Sequence, residues 1–233
     1  MDINIKGIQK TSLLDYPGKI CSTIFLNRCN FRCPYCHNPE LVFDEVKDEI
    51  PPEEFLDFLE EKKKWIDGIC VTGGEPTLHK GLVDFARKVK EKGFLIKLDT
   101  NGTNPAMIEQ LLNEKLVDYV AMDIKADLDK YSEAVNAKVN TDAIQKTVNL
   151  LMNSEIGYEF RTTVVPGLFD EETAEKIGNW LKGAKKYCLQ QFRNSDKVLD
   201  PKYQNVGHYH IDKLEKFKSI LKKHINDVEI RGI

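Results

Sequence analysis

Short apolar runs alternate along this chain with longer charged segments of helical period, and this alternation limits the possible folds most strongly. The apolar runs span residues 19–26, 68–72, 94–100, 118–125, 157–165 and 187–192. The amphipathic segments span residues 52–64, 82–92, 105–114, 141–153, 171–182 and 211–224. A repeated strand–helix pattern is typical of parallel α/β proteins rather than of β-sandwiches or helical bundles. The run at 227–233 is a candidate for one more strand.

The number of strand–helix units bears on the architecture. Six units are fewer than the eight of a closed barrel, which typically has about 250 residues. We therefore expect an α/β fold in the form of a partial, laterally open (βα)6 barrel, with a doubly wound open sheet as the main alternative. No linker or low-complexity stretch divides the units, which predicts one domain over residues 1–233.

Charge and hydropathy exclude several classes of function. The chain carries 34 Lys and Arg against 37 Asp and Glu, so it has no dominant basic character for a nucleic acid or an anionic membrane. No stretch approaches the roughly 18 apolar residues of a membrane span, and the N-terminus lacks the apolar core of a secretory signal. We expect a cytoplasmic protein without nucleic-acid or membrane partners, in which cysteines stay reduced.

Three of the six cysteines form a cluster, Cys29, Cys33 and Cys36, directly after the first predicted strand. The other three lie singly in or near apolar runs and are expected to be ordinary buried thiols. The cluster admits a glutaredoxin-like dithiol, a c-type haem attachment, or a zinc site completed by His37. Three structural thiols are a further alternative. Three thiolates on one short loop can also hold three irons of a four-iron cubane and leave the fourth iron open.

Further polar motifs follow the next predicted strands. Gly73 and Gly74, with Glu75 beside them, end the second strand, where glycine allows a close approach of the backbone to a ligand. The carboxyl ends of parallel strands carry the chemistry in both candidate architectures. We therefore expect this motif to lie near the cysteine cluster.

Charged residues mark the ends of later strands in the same way. Asp99 ends the third strand, Asp123 and Lys125 end the fourth, and Arg161 lies within the otherwise apolar fifth. An arginine on such a strand needs a polar or anionic partner. Surface or structural salt bridges are the alternative interpretation of these four residues.

Together these motifs resemble the radical S-adenosylmethionine (SAM) superfamily, whose signature is C-x₃-C-x₂-C with an aromatic residue before the last cysteine, here Tyr35. The resemblance implies one 4Fe–4S cluster held by the three clustered cysteines. It also implies that SAM binds the open iron through its methionyl amino and carboxylate groups, and that Tyr35 packs on the adenine. The carboxylate of the Gly-Gly-Glu motif would then bind the methionyl ammonium, as opposite charges favour.

The resemblance extends to the strand-end charges. In the glycyl-radical enzyme activases of this superfamily, the residues matching Asp99 and Asp123 lie beside a monovalent cation near the methionyl carboxylate, and Lys125 matches a residue that contacts the cofactor. Arg161 matches a residue of that branch as well, with the ribose side of SAM or Asp99 as its expected partner.

Segments 12–18 and 36–40 are similar to the activases, and most closely to the proteins that activate anaerobic ribonucleoside-triphosphate reductase. The resemblance spans residues 5 to 210. It implies reductive cleavage of SAM to a 5′-deoxyadenosyl radical, which takes a hydrogen from a glycine Cα of the partner enzyme. A low-potential donor such as flavodoxin or ferredoxin would supply the electron. Asp15 matches a residue that contacts an arginine near the target glycine, although a turn would also explain it.

Two alternatives to this function remain. Where pyruvate formate-lyase activases typically have Tyr-His, this chain has Tyr203 and Gln204, whereas segments 190–194 and 199–201 resemble the reductase-activating type. Activation of pyruvate formate-lyase is therefore the second candidate. A non-catalytic iron–sulfur electron carrier or sensor would explain the cysteines but not the Gly-Gly-Glu motif or the strand-end carboxylates.

Overall fold

The computed structural model describes residues 1–233 and contains one eight-stranded sheet covered by helices. The strands are β1 (Ile5–Ser12), β2 (Cys21–Leu26), β3 (Gly68–Gly73), β4 (Leu95–Thr100), β5 (Tyr119–Asp123), β6 (Gly157–Val164), β7 (Lys186–Gln191) and β8 (Asp227–Arg231). The helices are α1 (Pro39–Val42), α2 (Pro52–Lys62), α3 (Leu82–Glu91), α4 (Pro105–Asn113), α5 (Tyr131–Ala134), α6 (Thr141–Met152), α7 (Glu171–Trp180) and α8 (Ile211–Leu221). None of these helices has the length and apolar character needed to cross a membrane.

The order of the strands distinguishes between the two predicted architectures. The strands lie in the sheet in chain order from β1 to β8, and every pair from β2 to β8 is parallel. A doubly wound sheet would reverse its order at a switch point, so that alternative is wrong. No pairing joins β8 to β1, so the sheet stays open at one side, which confirms a partial barrel. The six predicted parallel strands and six helices are present, and the run after residue 226 forms β8.

The sequence pattern missed β1, which pairs antiparallel with β2 at the edge of the sheet. Its pattern is weak because residues 9–11 are exposed and only Ile5 and Ser12 are buried. A strand that packs at its ends alone does not show the alternation of a half-buried strand. β1 therefore provides one border of the lateral gap, and β8 provides the other.

The two faces of the curled sheet differ in chemistry. Residues such as Ile69, Val71 and Leu98 point outward into the main hydrophobic core under the helices, each at most 1% exposed. The inward side chains of Asp99 on β4 and Arg161 on β6 form an ion pair across β5. Because such a pair skips one strand, these side chains must lie on the concave face. The lumen of the barrel is therefore lined by polar and charged groups.

Tyr16 closes the lumen at the N-terminal end of the parallel strands. Its ring packs with Cys21 and Cys70 in a small apolar cluster separate from the main core, 6.1 Å from the ring of Tyr119. Cys188 is also fully buried. The three isolated cysteines are thus buried thiols, as predicted.

Candidate functional site

A cavity of about 240 Å³ lies at the carboxyl ends of β2 to β5. It is lined by most of the residues singled out from the sequence: Cys29, Cys33, Tyr35, Cys36, Gly73, Gly74, Glu75, Asp99, Asp123 and Lys125. A larger groove of about 730 Å³ lies between the C-terminal ends of α4 and α6, but none of these residues lines it. The chemistry of the lining, rather than volume, marks the smaller cavity as the candidate site.

The cysteine cluster lies on the loop that follows β2. Arg32 organises this loop, because its Nη1 donates to the carbonyl oxygens of Cys29 at 2.6 Å and Phe31 at 2.7 Å. The backbone N–H of Cys36 donates to the carbonyl of Cys33 at 3.0 Å, which closes a turn. No helix begins within the Cys33–Cys36 segment, so the structure gives no support to a helix-opening dithiol motif.

The burial of the thiols and the position of His37 bear on which metal group this loop could hold. Burial raises the pKa of Cys29 to about 12 and that of Cys33 to about 11, so a bound cation is needed to hold them as thiolates near neutral pH. No group of three or more His, Cys, Asp or Glu side chains converges to hold one ion. His37 instead places Nε2 2.7 Å from the carbonyl oxygen of Arg193. The Cys₃His zinc alternative is therefore unsupported, whereas a cubane is held at separate corners.

The two glycines at the end of β3 are required by the chain itself. A Cβ at Gly73 would lie 2.3 Å from backbone atoms of Leu26, and one at Gly74 would lie 2.0 Å from the carbonyl oxygen of Arg28. Gly73 also has φ of +121°, which side chains rarely tolerate. The tight contact is with the strand and loop before the cysteines, and because both glycines also line the cavity, their close approach to a ligand stays a prediction.

Glu75 is buried in the wall of the cavity and is 1% exposed. Its Oε1 accepts from the N–H of Thr77 at 3.0 Å, the hydroxyl of Thr77 at 2.5 Å and the hydroxyl of Thr100 at 2.8 Å, while Oε2 accepts from the N–H of Asn101 at 2.6 Å. Burial raises the pKa of Glu75, and these bonds oppose that effect. None of the partners is cationic. The carboxylate is therefore held rigidly with its negative charge uncompensated, which suits an ammonium ligand.

An asparagine pair, not identified from the sequence, connects the cysteine loop to the end of β4. Nδ2 of Asn101 donates to Oδ1 of Asn30 at 2.8 Å, and Nδ2 of Asn30 donates to the hydroxyl of Thr103 at 2.9 Å. Asn101 is followed by Gly102, whose φ of +77° turns the chain at this point. The side-chain contact spans 71 residues, so no local pattern could reveal it.

The strand-end charges meet in one network below the thiols. Arg161 donates from Nε to Asp123 at 3.0 Å and from Nη1 to Asp99 at 3.2 Å, and Lys125 donates to Asp123 at 3.0 Å. Burial alone would raise the pKa of Asp123, but Arg161 and Lys125 outweigh it and lower that pKa to about 2. The surface salt-bridge alternative is wrong for these residues, because Arg161 is only 12% exposed and lies in the lumen.

Lys97 belongs to this network and was missed. It is 2% exposed, forms an ion pair with Asp99, and donates to the sulfur of Cys70 at 3.6 Å. Its signal in the sequence was a lysine inside an apolar strand, two residues before Asp99. Three cations thus face two carboxylates, so these acids do not require a monovalent cation for neutralisation.

Tyr35 supplies a polar group without a partner. The side chain is 5% exposed and its ring meets Phe192 edge-on, with centroids 6.5 Å apart. Its buried hydroxyl has no hydrogen-bond partner within the protein. A buried hydroxyl usually has a hydrogen-bond partner, so the hydroxyl of Tyr35 is available to bond with a ligand in the cavity.

Asp15 and Gln204 lie outside the cavity. Asp15 sits in the loop between β1 and β2, where its Oδ2 accepts from the hydroxyl of Thr23 at 2.6 Å. This turn contact agrees with its alternative interpretation and leaves a partner contact as a prediction. Gln204 donates to the carbonyl of Asp196 at 2.9 Å on the surface, so it does not take the place of a histidine in the cavity.

Known proteins are similar to this chain in sequence and in fold. A sequence model described as the radical SAM superfamily matches residues 23–177. A putative glycyl-radical enzyme activating enzyme of Methanocaldococcus jannaschii is 39% identical over 98% of this chain and 96% of its own. The pyruvate formate-lyase-activating enzyme of Clostridium pasteurianum is 32% identical over 97% of this chain and 90% of its own.

Solved structures agree at the level of the fold. A radical SAM methyltransferase from Sphaerobacter thermophilus superposes with a TM-score of 0.67 at 17% identity, over 93% of this chain and 68% of that protein. A domain of the pyruvate-formate lyase-activating enzyme from Bacteroides vulgatus gives 0.56 at 16% identity, over 71% of this chain and 99% of that domain. The chain therefore belongs to the radical SAM superfamily, with glycyl-radical enzyme activating enzymes among its homologues.

Proposed function

We propose that this radical SAM enzyme activates an anaerobic ribonucleoside-triphosphate reductase by installing a glycyl radical on it. The observation that carries the proposal is the cavity, in which three thiols, a rigid uncompensated carboxylate and a buried ion network meet beside an open barrel edge. A 4Fe–4S cluster held by Cys29, Cys33 and Cys36 would supply the single electron for reductive cleavage of SAM, and the cleaved cofactor would supply the group that removes a hydrogen atom from the glycine Cα. The protein supplies position, charge and exclusion of water.

Each part of the cavity has a role in this proposal. Cys29, Cys33 and Cys36 hold three irons of one cluster, and Glu75 attracts the methionyl ammonium. Lys125, buried and close enough to Cys33 and Tyr35 to interact with both, supplies positive charge for the thiolates and the methionyl carboxylate. The floor of the cavity consists of charges that are already paired with one another, those of Asp99, Asp123 and Arg161. These side chains need not reorganise when the cofactor binds.

The open edge favours a protein substrate. The sheet has no pairing between β1 and β8, so a chain segment can enter the lumen from the side. A glycine Cα within a folded partner can reach the cofactor only if a loop is inserted, and a closed barrel would block that route. Asp15 lies in the loop between β1 and β2 of this chain. We propose that it forms an ion pair with an arginine on the inserted loop of the partner enzyme.

The choice of partner rests on sequence resemblance. Segments 190–194 and 199–201 support the reductase, and Gln204 points away from the cavity where pyruvate formate-lyase activases typically have histidine. The Clostridium pasteurianum relative favours pyruvate formate-lyase as the second candidate. We further propose cytoplasmic location, one domain, and a flavodoxin- or ferredoxin-type electron donor.

Anaerobic electron paramagnetic resonance tests the proposal directly. Reconstituted, dithionite-reduced enzyme is mixed with SAM and either the anaerobic reductase or pyruvate formate-lyase. We expect a glycyl doublet with the reductase alone, and none when its target glycine is replaced by alanine. A doublet with the lyase alone transfers the function to the second candidate. If 5′-deoxyadenosine forms without either doublet, the enzyme acts on another substrate.

A parallel assay separates enzyme from carrier. The SAM-dependent formation of 5′-deoxyadenosine is measured without any partner. A non-catalytic iron–sulfur carrier or sensor would bind iron but form none of this product. The enzyme should form it slowly when the cluster is reduced, and it should stop doing so when Cys33 is replaced by alanine.

A further inference from the structure

A second ion network lies in the lumen, below the one that lines the cavity. Arg231 on β8 donates from Nη1 and Nη2 to the two oxygens of Glu159 on β6, at 2.8 and 2.7 Å. Its Nε also donates to Glu229 at 2.8 Å, and Lys186 pairs with Glu229 at 2.7 Å. The hydroxyl of Tyr119 donates to Glu159 at 3.2 Å. None of these side chains lines the cofactor cavity.

The two networks share strand β6. Glu159 and Arg161 are two residues apart on it, so their side chains point to the same face. Glu159 has no exposed surface, and Arg161 is only 12% exposed. A buried carboxylate next to a buried guanidinium would normally pair with it. Here Arg161 instead donates to Asp99 and Asp123, whereas both oxygens of Glu159 accept from Arg231.

The charges of the two networks explain why Arg161 stays with Asp99 and Asp123 while Arg231 stays with Glu159. The lower network has two acids, Glu159 and Glu229, and two cations, Arg231 and Lys186, so its formal charge is zero. The upper network has three cations for two acids. Without Arg231, the lower network would carry one unpaired buried negative charge directly below the excess positive charge of the upper one. A movement of Arg161 toward Glu159 would compensate both the unpaired negative charge of the lower network and the excess positive charge of the upper one.

We propose that Arg231 is a positioning residue that, by occupying Glu159, keeps Arg161 on Asp99 and Asp123, two residues that line the cofactor cavity. Arg231 does not line the cofactor cavity, and it acts through Glu159 on Arg161. The last strand of the sheet thereby sets the geometry of the SAM site from the far side of β7. The effect on SAM rests on the proposed role of the upper network, whereas the position of Arg161 does not.

The test compares Arg231→Met with the double variant Arg231→Met/Glu159→Gln. We expect the single variant to raise KM for SAM by about 10- to 100-fold, the size of effect typical when a hydrogen-bond partner behind a site is lost, with a smaller change in kcat. The assay is 5′-deoxyadenosine formation without a protein partner. In the double variant no buried carboxylate competes for Arg161, so KM should return to within about threefold of the wild-type value.

A crystal structure of each variant, prepared without cluster or SAM, gives a readout independent of activity. We expect Arg161 to contact Glu159 in Arg231→Met, and Asp99 and Asp123 in the double variant. Arg87→Met is the matched control, since Arg87 also binds a carboxylate, that of Glu114, through two nitrogens but on the surface. It should change neither KM nor the position of Arg161.

The outcomes separate this inference from the proposed function. Arg161 remaining on Asp99 and Asp123 in Arg231→Met, or a KM defect that Glu159→Gln does not reverse, would overturn the positioning role. If the wild-type enzyme forms no 5′-deoxyadenosine, the proposed function fails while the crystal structures still decide the inference. Should Arg231→Met not fold, Arg231→Lys keeps the charge but loses the two-nitrogen contact, and it should give a smaller KM increase that Glu159→Gln again reverses.

Discussion

Replacing Asp123 by asparagine should destabilise the cluster-free protein substantially, because this change removes one carboxylate from between two buried cations. Asp123 is 27% exposed and pairs with Arg161 and Lys125 at 3.0 Å each. These cations lower its pKa from 3.8 to about 2. At about 1.4 kcal/mol per pKa unit, the charge of Asp123 contributes roughly 2 kcal/mol at neutral pH. The substitution leaves the buried Lys125 without its carboxylate partner, whereas Arg161 keeps Asp99, and an unpaired buried charge costs about 3–5 kcal/mol.

We therefore expect Asp123→Asn to lower the free energy of unfolding by about 3 kcal/mol at pH 7, measured by urea denaturation. For a chain of this size that corresponds to a decrease in Tm of about 6–12 °C. The matched control is Asp84→Asn, which breaks an Asp–Arg pair with a 2.6 Å contact in which Asp84 is 67% exposed. A surface pair contributes little, so this control should leave the unfolding free energy almost unchanged.

The pH dependence has a definite sign. A carboxyl group with a lowered pKa in the folded state stabilises the protein above its unfolded pKa of 3.8 and loses that contribution as the pH falls through about 2. The stability difference between wild type and Asp123→Asn should thus be constant from pH 7 to 5 and shrink below pH 4. Equal destabilisation by the two asparagine variants, or a difference that grows in acid, would refute the reasoning.

Three further predictions concern the walls of the cavity. Gly74→Ala should lower Tm and reduce iron incorporation, since the added Cβ would lie 2.0 Å from the carbonyl oxygen of Arg28; thermal denaturation and iron analysis measure both. Cys33→Ala should lose the cluster, whereas Cys188→Ala, outside the cavity, should keep its iron and the visible absorbance of the cluster. Glu75→Gln should raise KM for SAM about tenfold or more, because a buried charged hydrogen-bond partner contributes about 1.5–3 kcal/mol; kinetics of 5′-deoxyadenosine formation measure it.

Each of these predictions has an outcome that contradicts it. Gly207→Ala is the control for the glycine variant, because Gly207 has open space where a Cβ would lie and no positive φ. Equal effects of Gly74→Ala and Gly207→Ala would show that the close contact of Gly74 with Arg28 does not cause the loss of stability. Full iron content in Cys33→Ala would remove that thiol from the ligand set. An unchanged KM in Glu75→Gln would show that its charge does not act on the cofactor.

The parallel strands and their helices were predictable because each buried strand is apolar on its outer face and each helix is amphipathic. Ile69 and Val71, for example, contribute to an apolar run that local periodicity detects. The site was predictable for a related reason, since the chemistry of a parallel sheet collects where its strands end. The order of the strands, and with it the choice between open barrel and doubly wound sheet, depends on pairing that no local pattern contains.

The interior of the barrel was the part that sequence analysis could not supply. Lys97, Glu159 and Arg231 are charged residues in segments interpreted as ordinary strands, and only the curvature of the sheet brings them together. Glu159 and Arg231 are 72 residues apart in the chain. The reason for the Gly-Gly pair was likewise hidden, because Arg28 approaches Gly74 only through the parallel pairing of β2 and β3.

The strict chain order of the strands also has a consequence for how the molecule folds. Every strand pairs with the one that precedes it, so the sheet can grow by successive additions, each closing a loop of modest length. The lumen contacts are different, since they join β4 to β6 and β6 to β8 and become available only after the intervening strand is placed. We expect the outer core to form early in refolding and the charged interior late, so that substitutions at Ile69 slow folding whereas those at Arg231 mainly accelerate unfolding. Stopped-flow measurement of both rate constants would show whether the charged interior of the barrel is the last part of the protein to become ordered.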